Sequence, residues 1–340
     1  LRSNSLPKPI QSIKAIMDPS LVDVLVIGAG PAGLSAALGL GRVCRSVRVF
    51  DSQQYRNDGV LAMNNVLCHD GESPALFRAK AMEDIATKYP HVEFIDSEIT
   101  HVTLVGESSS TSCFRVMNKR GQSWIGKKIL FATGSVDILP STPGFHELWG
   151  QDIYHCLFCD GYERRGQAIG ILGASDRDLD HTLMTFALKP TSITVFTDAA
   201  ELNESSMGKE LRDACARGCV IDQRIIHRFS KAPDGEHLQL HFNDGTSQVL
   251  GFLIYHPRSV SRAQHLFDQL GIEPFSLQES FPQPQLPFGQ LSVPGTFMAG
   301  DVATPFKIVN VSAASGSLAA VGIASQLAHE ENTARVGRQR

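Results

Sequence analysis

The sequence lacks an excess of positive charge. Its 340 residues contain 31 Lys and Arg against 35 Asp and Glu, which gives a formal net charge of -4 at pH 7. Proteins that grip the phosphate backbone of nucleic acids present a strongly basic surface, and this chain has no surplus from which to build one. We therefore expect no nucleic-acid partner.

The sequence also lacks the run of roughly 18 to 20 apolar residues that a membrane-spanning helix needs. Apolar residues make up 42% of the chain and charged residues 19%, as in ordinary globular proteins. The mean hydropathy of -0.06 agrees with this composition. We expect a protein with no membrane contact and, at roughly 150 residues per domain, about two domains.

A disulfide framework of the extracellular kind is absent as well. The seven cysteines are an odd number in a chain of this size, which favours a reducing compartment, and we predict the cytoplasm. Residues 1–16 have no apolar core like that of a signal peptide and contain Pro7 and Pro9. We interpret them as a flexible tail or an added segment, with Met17 as a possible natural start.

The strongest local pattern is a βαβ unit near the N-terminus. A strand predicted over residues 22–27 runs directly into the turn Gly28-Ala29-Gly30-Pro31-Ala32-Gly33. A helix and a second strand follow, and the second strand ends at Asp51. Such a turn lets the backbone approach a pyrophosphate at a helix N-terminus, while the acidic residue bonds ribose hydroxyls. The pattern predicts a dinucleotide site.

Two later turns extend this pattern. Ala132-Thr133-Gly134 follows an apolar strand, and Gly300-Asp301 follows another. In this order the three motifs resemble the FAD-binding set of α/β flavoproteins with two dinucleotide-binding domains. The resemblance implies a discontinuous FAD domain over 17–139 and 259–335, with an insert over 140–258. It also implies that FAD is bound by Gly28, Gly30, Pro31, Ala32, Gly33, Asp51, Ala132, Thr133, Gly134, Gly300 and Asp301.

The insert carries the pair Cys156-Leu157-Phe158-Cys159. Two thiols at this spacing can form a disulfide, can bind zinc if a second pair such as Cys215 and Cys219 completes the site, or can be inert. A flavin domain gives them a redox partner, which favours the first alternative. Thiol exchange requires thiolate, so the flanking His155 and Asp160 are the candidate acid and base groups. We predict no metal site.

The complete set of motifs resembles the low-molecular-weight thioredoxin reductase family over about residues 20–330. This resemblance implies that Cys159 lies nearer the flavin, that Cys156 exchanges with the substrate and that Asp160 is the acid.

The second nucleotide turn departs from that family. The stretch that corresponds to the NADPH turn Gly-x-Gly-x-x-Gly/Ala runs from Gly170 to Asp178. Ser175 stands at the place of its second glycine and Asp178 at that of the small residue that closes the turn, with Asp176 between them. The segment 197–201 contains acidic residues and no arginine for a 2'-phosphate. Carboxylates would repel a pyrophosphate. We expect this NADPH site to be degenerate.

Without NADPH, electrons would enter through a dithiol and leave the flavin for O2. The pattern resembles flavin-dependent dithiol oxidases of the gliotoxin, sirodesmin, aspirochlorine and holomycin type. Three segments carry the match: 154–163, 300–307 and Asn64-Asn65-Val66-Leu67, from which Asn65 joins the predicted FAD residues. The resemblance implies a small-molecule dithiol substrate of epidithiodioxopiperazine type, hydrogen peroxide as product, and a homodimer.

Two alternatives from other classes stay open. One is a disulfide reductase that draws electrons from NADPH or ferredoxin and acts on a protein partner such as thioredoxin. The other is a non-catalytic flavoprotein or redox sensor.

Overall fold

The structure is a computed structural model of the chain. It describes residues 21–56, 58–106, 113–173, 182–200, 207–274 and 281–337. The tail predicted over residues 1–16 lies outside these ranges.

The described residues form an alternation of strands and helices. The strands are β1 (Leu21–Ile27), β2 (Val47–Asp51), β3 (Val92–Asp96), β4 (Ile99–Val105), β5 (Cys113–Asn118), β6 (Ser123–Phe131), β7 (Ser135–Ile138), β8 (Ile153–Tyr154), β9 (Ile169–Leu172), β10 (Ile193–Phe196), β11 (Val220–Asp222), β12 (Ile226–Lys231), β13 (Leu238–Phe242), β14 (Ser247–Leu250), β15 (Phe252–Tyr255), β16 (Arg258–Ser261) and β17 (Thr296–Met298). The helices are α1 (Pro31–Arg42), α2 (Pro74–Lys88), α3 (Phe145–Leu148), α4 (Leu157–Asp160), α5 (Thr182–Thr185), α6 (Lys209–Ala216), α7 (Gln264–Leu270) and α8 (Val309–Gly337).

The chain divides into two compact units. Unit 1 falls within residues 1–54, 80–134 and 261–340, and unit 2 within residues 55–79 and 135–260. The contacts thus group residues 55–79 with unit 2. The limits 17–139, 140–258 and 259–335 deduced from the motifs remain a prediction.

Unit 1 is built on a seven-stranded sheet. Its order is β3-β2-β1-β6-β5-β4, and β17 pairs with β6. Strand β1 is parallel to β2 and to β6, and its last four residues are buried, as expected for a parallel strand covered on both faces. The predicted βαβ unit is therefore present. It brings Gly28, directly after β1, to the carboxyl edge of the sheet.

Helix α8 is a core helix of unit 1. By length and composition it could cross a membrane, with a mean hydropathy of 1.3 over 18 residues. Its small and apolar residues instead pack against α1, and Gly316, Ala319, Ala320 and Ile323 are buried. Small residues give this helix its apolar character without a continuous run of large apolar side chains.

Unit 2 contains a five-stranded parallel sheet in the order β11-β10-β9-β15-β8, a three-stranded antiparallel sheet β12-β13-β14 and the ribbon β16-β7. Strands β9 and β10 are neighbours in the parallel sheet, with Ile169 opposite Ile193. Between these two strands, the described residues form α5 and a 3-10 turn at Phe186–Leu188. The α/β class is confirmed.

The approach of α8 to α1 gives a stability prediction. A Cβ atom at Gly316 would lie 2.0 Å from the backbone oxygen of Ala32. We expect Gly316→Ala to lower the free energy of unfolding by about 1 to 3 kcal/mol, because α8 must move away from α1. Gly337→Ala is the control, since a Cβ there meets nothing within 4 Å. Thermal unfolding monitored by circular dichroism measures the effect. Equal melting temperatures for the two variants would contradict the prediction.

Candidate active site

Cys156 and Cys159 form a disulfide in unit 2, with their Cα atoms 5.3 Å apart. Cys156 is the residue before α4, and Cys159 lies within this four-residue helix. One helical turn therefore places both sulfur atoms on one side. Both cysteines are half-buried, whereas Phe158 between them is 70% exposed. The other five cysteines are free thiols.

Zinc binding by the two cysteine pairs is the alternative to a disulfide. No group of three or more His, Cys, Asp or Glu side chains in the described part of the chain is placed to hold a metal ion. Cys215 and Cys219 do lie side by side, and burial raises the pKa of Cys219 to about 12.

The carbonyl oxygen of Cys159 accepts a hydrogen bond of 2.8 Å from Nδ2 of Asn64. The sequence pattern Asn64-Asn65-Val66-Leu67 contains this residue, but from the sequence only Asn65 is assigned a functional role. Asn65 is exposed, has a positive φ of 61°, and donates its backbone N–H to Oδ1 of Asp70 at 2.6 Å. Asn65 lies in unit 2, and its role at FAD stays a prediction.

His155 is half-buried directly before Cys156. Its ring lies 6.0 Å from the ring of Trp149, which in turn stacks on Phe145 at 6.1 Å. The imidazole of His155 is thus packed against an aromatic cluster.

Asp160 is the acidic group of the redox helix. Burial, together with the smaller effect of the negative charge of Glu163 and against the opposing charge of Arg164, raises its pKa from 3.8 to about 7. A carboxyl group with a pKa near neutrality is suited to general acid and base work. Sequence reasoning had identified Asp160 but not Glu163 or Arg164.

The glycine turn of unit 1 tests whether FAD fits. Gly28 has φ +111°, and a Cβ there would lie 2.3 Å from the backbone oxygen of Ala132. A Cβ on Gly33 would lie 1.9 Å from the backbone oxygen of Gly28. Gly30, at the N-cap of α1, faces open space, and Pro31 occupies the first helical position. The turn is thus closed towards the protein and open on the side where we expect a pyrophosphate.

The other predicted flavin motifs meet this turn. Ala132 donates its N–H to Ile27 O at 2.8 Å, and Oγ1 of Thr133 is buried with no hydrogen-bond partner among the described residues. Gly134 has φ +70°. An orphaned buried hydroxyl beside an open turn is what a bound polar cofactor would satisfy.

The third motif approaches from β17. A Cβ on Gly300 would lie 2.9 Å from Cβ of Ala32, and Oδ1 of Asp301 accepts a hydrogen bond of 2.9 Å from Oγ of Ser312. At the end of β2, Oδ1 of Asp51 accepts the N–H of Gln53 at 2.9 Å. All the unit 1 residues predicted at FAD therefore surround one edge of the sheet, and the arrangement fits that cofactor.

We call the glycine turn from Gly28 to Gly33, with the turns at Ala132 and Gly300 beside it, the cradle. The fold and this cradle define an α/β flavoprotein with a redox-active disulfide. The model of the family described as pyridine nucleotide-disulphide oxidoreductase matches residues 22–317, and the chain belongs to this family. It is an oxidoreductase, and FAD is its cofactor, as expected.

Individual relatives narrow the comparison. Thioredoxin reductase sirT of Leptosphaeria maculans is 34% identical over 332 residues, covering 93% of this chain and 98% of the relative. Thioredoxin reductase aclD of Aspergillus oryzae is 32% identical, with coverage of 93% and 99%. The crystal structure of HlmI has a TM-score of 0.84 and 30% identity, covering 93% and 96% of the two chains. The thioredoxin reductase-like resemblance is confirmed.

The second nucleotide turn is described in part. Gly173 has φ +145°, whereas Ser175, Asp176, Asp178 and residue 201 lie outside the described residues. A cavity of about 220 Å³ lies at the carboxyl ends of the unit 2 strands, and neither arginine nor lysine is among its described lining residues. Asp198 lines it instead, with Oδ1 accepting the N–H of Ile226 at 2.8 Å.

The cradle predicts the effect of a carboxylate at Gly30. Because no atom lies within 4 Å of a Cβ at this position, Gly30→Asp should fold normally, yet its charge would occupy the place of the pyrophosphate. We expect a folded, colourless protein, checked by circular dichroism and visible absorbance. Normal FAD content in this variant would contradict the cradle assignment.

The raised pKa of Asp160 predicts a pH dependence of stability. The folded protein keeps a proton up to about pH 7 that the unfolded chain releases near the ordinary value of 3.8. The free energy of unfolding should therefore fall as pH rises between these values and level off above them. Asp160→Asn should lack this pH-dependent part of the free energy of unfolding. Glu163→Gln should lower the pH at which the decrease ends, because Glu163 raises the pKa of Asp160 in the folded protein.

Denaturant unfolding of the three proteins across this range measures the effect. Parallel pH profiles for the wild type and Asp160→Asn would show that Asp160 does not titrate near neutrality.

Proposed function

We propose that the chain is a flavin-dependent dithiol oxidase. It closes an intramolecular disulfide in a small-molecule dithiol of epidithiodioxopiperazine type and passes the two electrons to O2. The observation that carries the proposal is the Cys156–Cys159 disulfide, flanked by His155 and Asp160 in a protein of an FAD-binding family. Asp198, where a 2'-phosphate would need a cation, supports a route of electrons that does not begin with NADPH.

The first half of the cycle is thiol–disulfide exchange. One substrate thiolate attacks Sγ of Cys156, and Cys159 leaves as a thiolate. The second substrate thiol attacks the substrate sulfur of the mixed disulfide, and Cys156 leaves. The substrate thus loses two electrons and two protons to the enzyme, which becomes a dithiol.

Proton transfer falls to the neighbours of the cysteines. His155, adjacent to Cys156 and held by Trp149, accepts the substrate proton. Asp160 is the second group, because its pKa of about 7 lets it take up and release a proton near neutral pH.

FAD would be held by the residues that line the cradle from Gly28 to Gly33, by Asp51, by Ala132 to Gly134, by Gly300 and Asp301, and by Asn65. When bound, it would supply the two-electron chemistry by which the two electrons and two protons of the enzyme dithiol reach O2 and give hydrogen peroxide. We also propose a homodimer located in the cytoplasm.

A reductase is the second candidate. The names of sirT and aclD as thioredoxin reductases favour it. Such an enzyme needs electrons from NADPH or ferredoxin, and the acidic lining at Asp198 disfavours the first donor.

Turnover in air tests the oxidase. With a reduced epidithiodioxopiperazine, we expect oxygen consumption and about one peroxide per disulfide formed, as a two-electron couple requires. Cys156→Ser and Cys159→Ser should each abolish turnover, while Cys68→Ser, which changes a free exposed thiol, should retain it. Oxygen consumption that persists in both redox-pair variants, or its absence from the wild type, would reject the proposal.

A further inference from the structure

Helix α4 is too short to fix the redox pair by itself. Its backbone bonds run from Cys159 N to Cys156 O at 3.3 Å, from Asp160 N to the same oxygen at 3.2 Å, and from Gly161 N to Leu157 O at 2.9 Å. Two of the three share one acceptor and are long for N–H···O bonds. A single helical turn is not stable alone in water, so the position of Cys159 depends on contacts from outside the helix.

Asn64 supplies such a contact from 95 residues away. Its side-chain amide donates to the carbonyl oxygen of Cys159 at 2.8 Å, shorter than each bond within α4. The carbonyls at a helix C-terminus have no partner in their own helix, and this amide acts as the missing donor.

The loop that carries Asn64 is itself fixed. Met63 donates its N–H to Glu72 O at 2.8 Å, and Gly71 donates to Met63 O at 2.9 Å. Met63 and Val66 are buried on either side of Asn64. The side-chain amide of Asn64 therefore extends from a loop whose backbone is held by hydrogen bonds and buried side chains.

The two redox states depend on this contact to different degrees. The hydrogen bond is present with the disulfide closed, where both bonds order the same helical turn. After reduction Cys159 is freer, so forming the same hydrogen bond must also offset the entropy of ordering it, and the bond stabilises the disulfide state more than the dithiol state. We propose that Asn64 is a positioning residue that holds Cys159 where it can pair with Cys156 and so stabilises the disulfide relative to the dithiol. The inference rests on the proposed function only in taking Cys156 and Cys159 as the pair that cycles.

The thiol–disulfide equilibrium of the pair tests this role. The holoenzyme is equilibrated under nitrogen with reduced and oxidised dithiothreitol, so that enzyme disulfide and reagent dithiol exchange two electrons and two protons. Alkylation and mass spectrometry then count the Cys156 and Cys159 thiols. Loss of one neutral hydrogen bond in Asn64→Ala should shift the equilibrium constant about three- to tenfold towards the dithiol.

Asn64→Asp keeps the side-chain volume but removes the donor, and it should shift the equilibrium in the same direction. Cys68→Ser, in the same loop, should leave it unchanged. Circular dichroism checks that each variant folds, and if Asn64→Ala does not, Asn64→Asp decides. An equilibrium constant within twofold of the wild type in the folded Asn64 variants would overturn the role.

The result is independent of the oxidase assay. The alkylation measurement needs no oxygen and no substrate turnover, so a failed oxidase proposal would leave the Asn64 shift intact. Conversely, an unshifted equilibrium with normal peroxide production would reject Asn64 alone.

Discussion

The cofactor site depends on a close backbone approach at Gly28. The main chain leaving β1 passes so near to Ala132 and to Gly33 that a side chain at either glycine would overlap a carbonyl oxygen. This approach is possible because β1 and β6 are paired in parallel, with Ile27 opposite Phe131, so both strands deliver their turns to the same edge. The pairing of β17 with β6 adds Gly300 there, opposite Ala32.

The redox pair in unit 2 depends on a second feature, the short helix α4 and the burial of the acidic residue at its end. A four-residue helix carries the disulfide, and burial keeps the carboxyl group of Asp160 at a pKa of about 7. An ordinary surface aspartate would be ionised throughout the physiological range and could only accept a proton rarely. The local environment thus gives Asp160 a pKa at which it can both take up and release a proton near neutral pH.

Local patterns predicted much of this arrangement. The glycine turn, the end of β2 at Asp51 and the Cys-x-x-Cys pair each follow from spacing that has a direct physical meaning. The convergence of Gly28, Ala132 and Gly300 was implied only by resemblance, because strand order is a property of the folded sheet. Asn64 and Glu163 were not found, since a hydrogen bond across 95 residues and a shift of pKa by a neighbouring charge leave no local signal.

The direction of electron flow is the central claim, and the visible absorption of the bound flavin measures it directly. Under nitrogen, a reduced small-molecule dithiol should bleach the flavin band, whereas NADPH at about millimolar concentration should leave it unchanged, because the segment expected to meet its 2'-phosphate contains Asp198 and no arginine. Admitting air should restore the oxidised spectrum. Rapid bleaching by NADPH together with no response to the dithiol would contradict the account and identify the protein as a reductase.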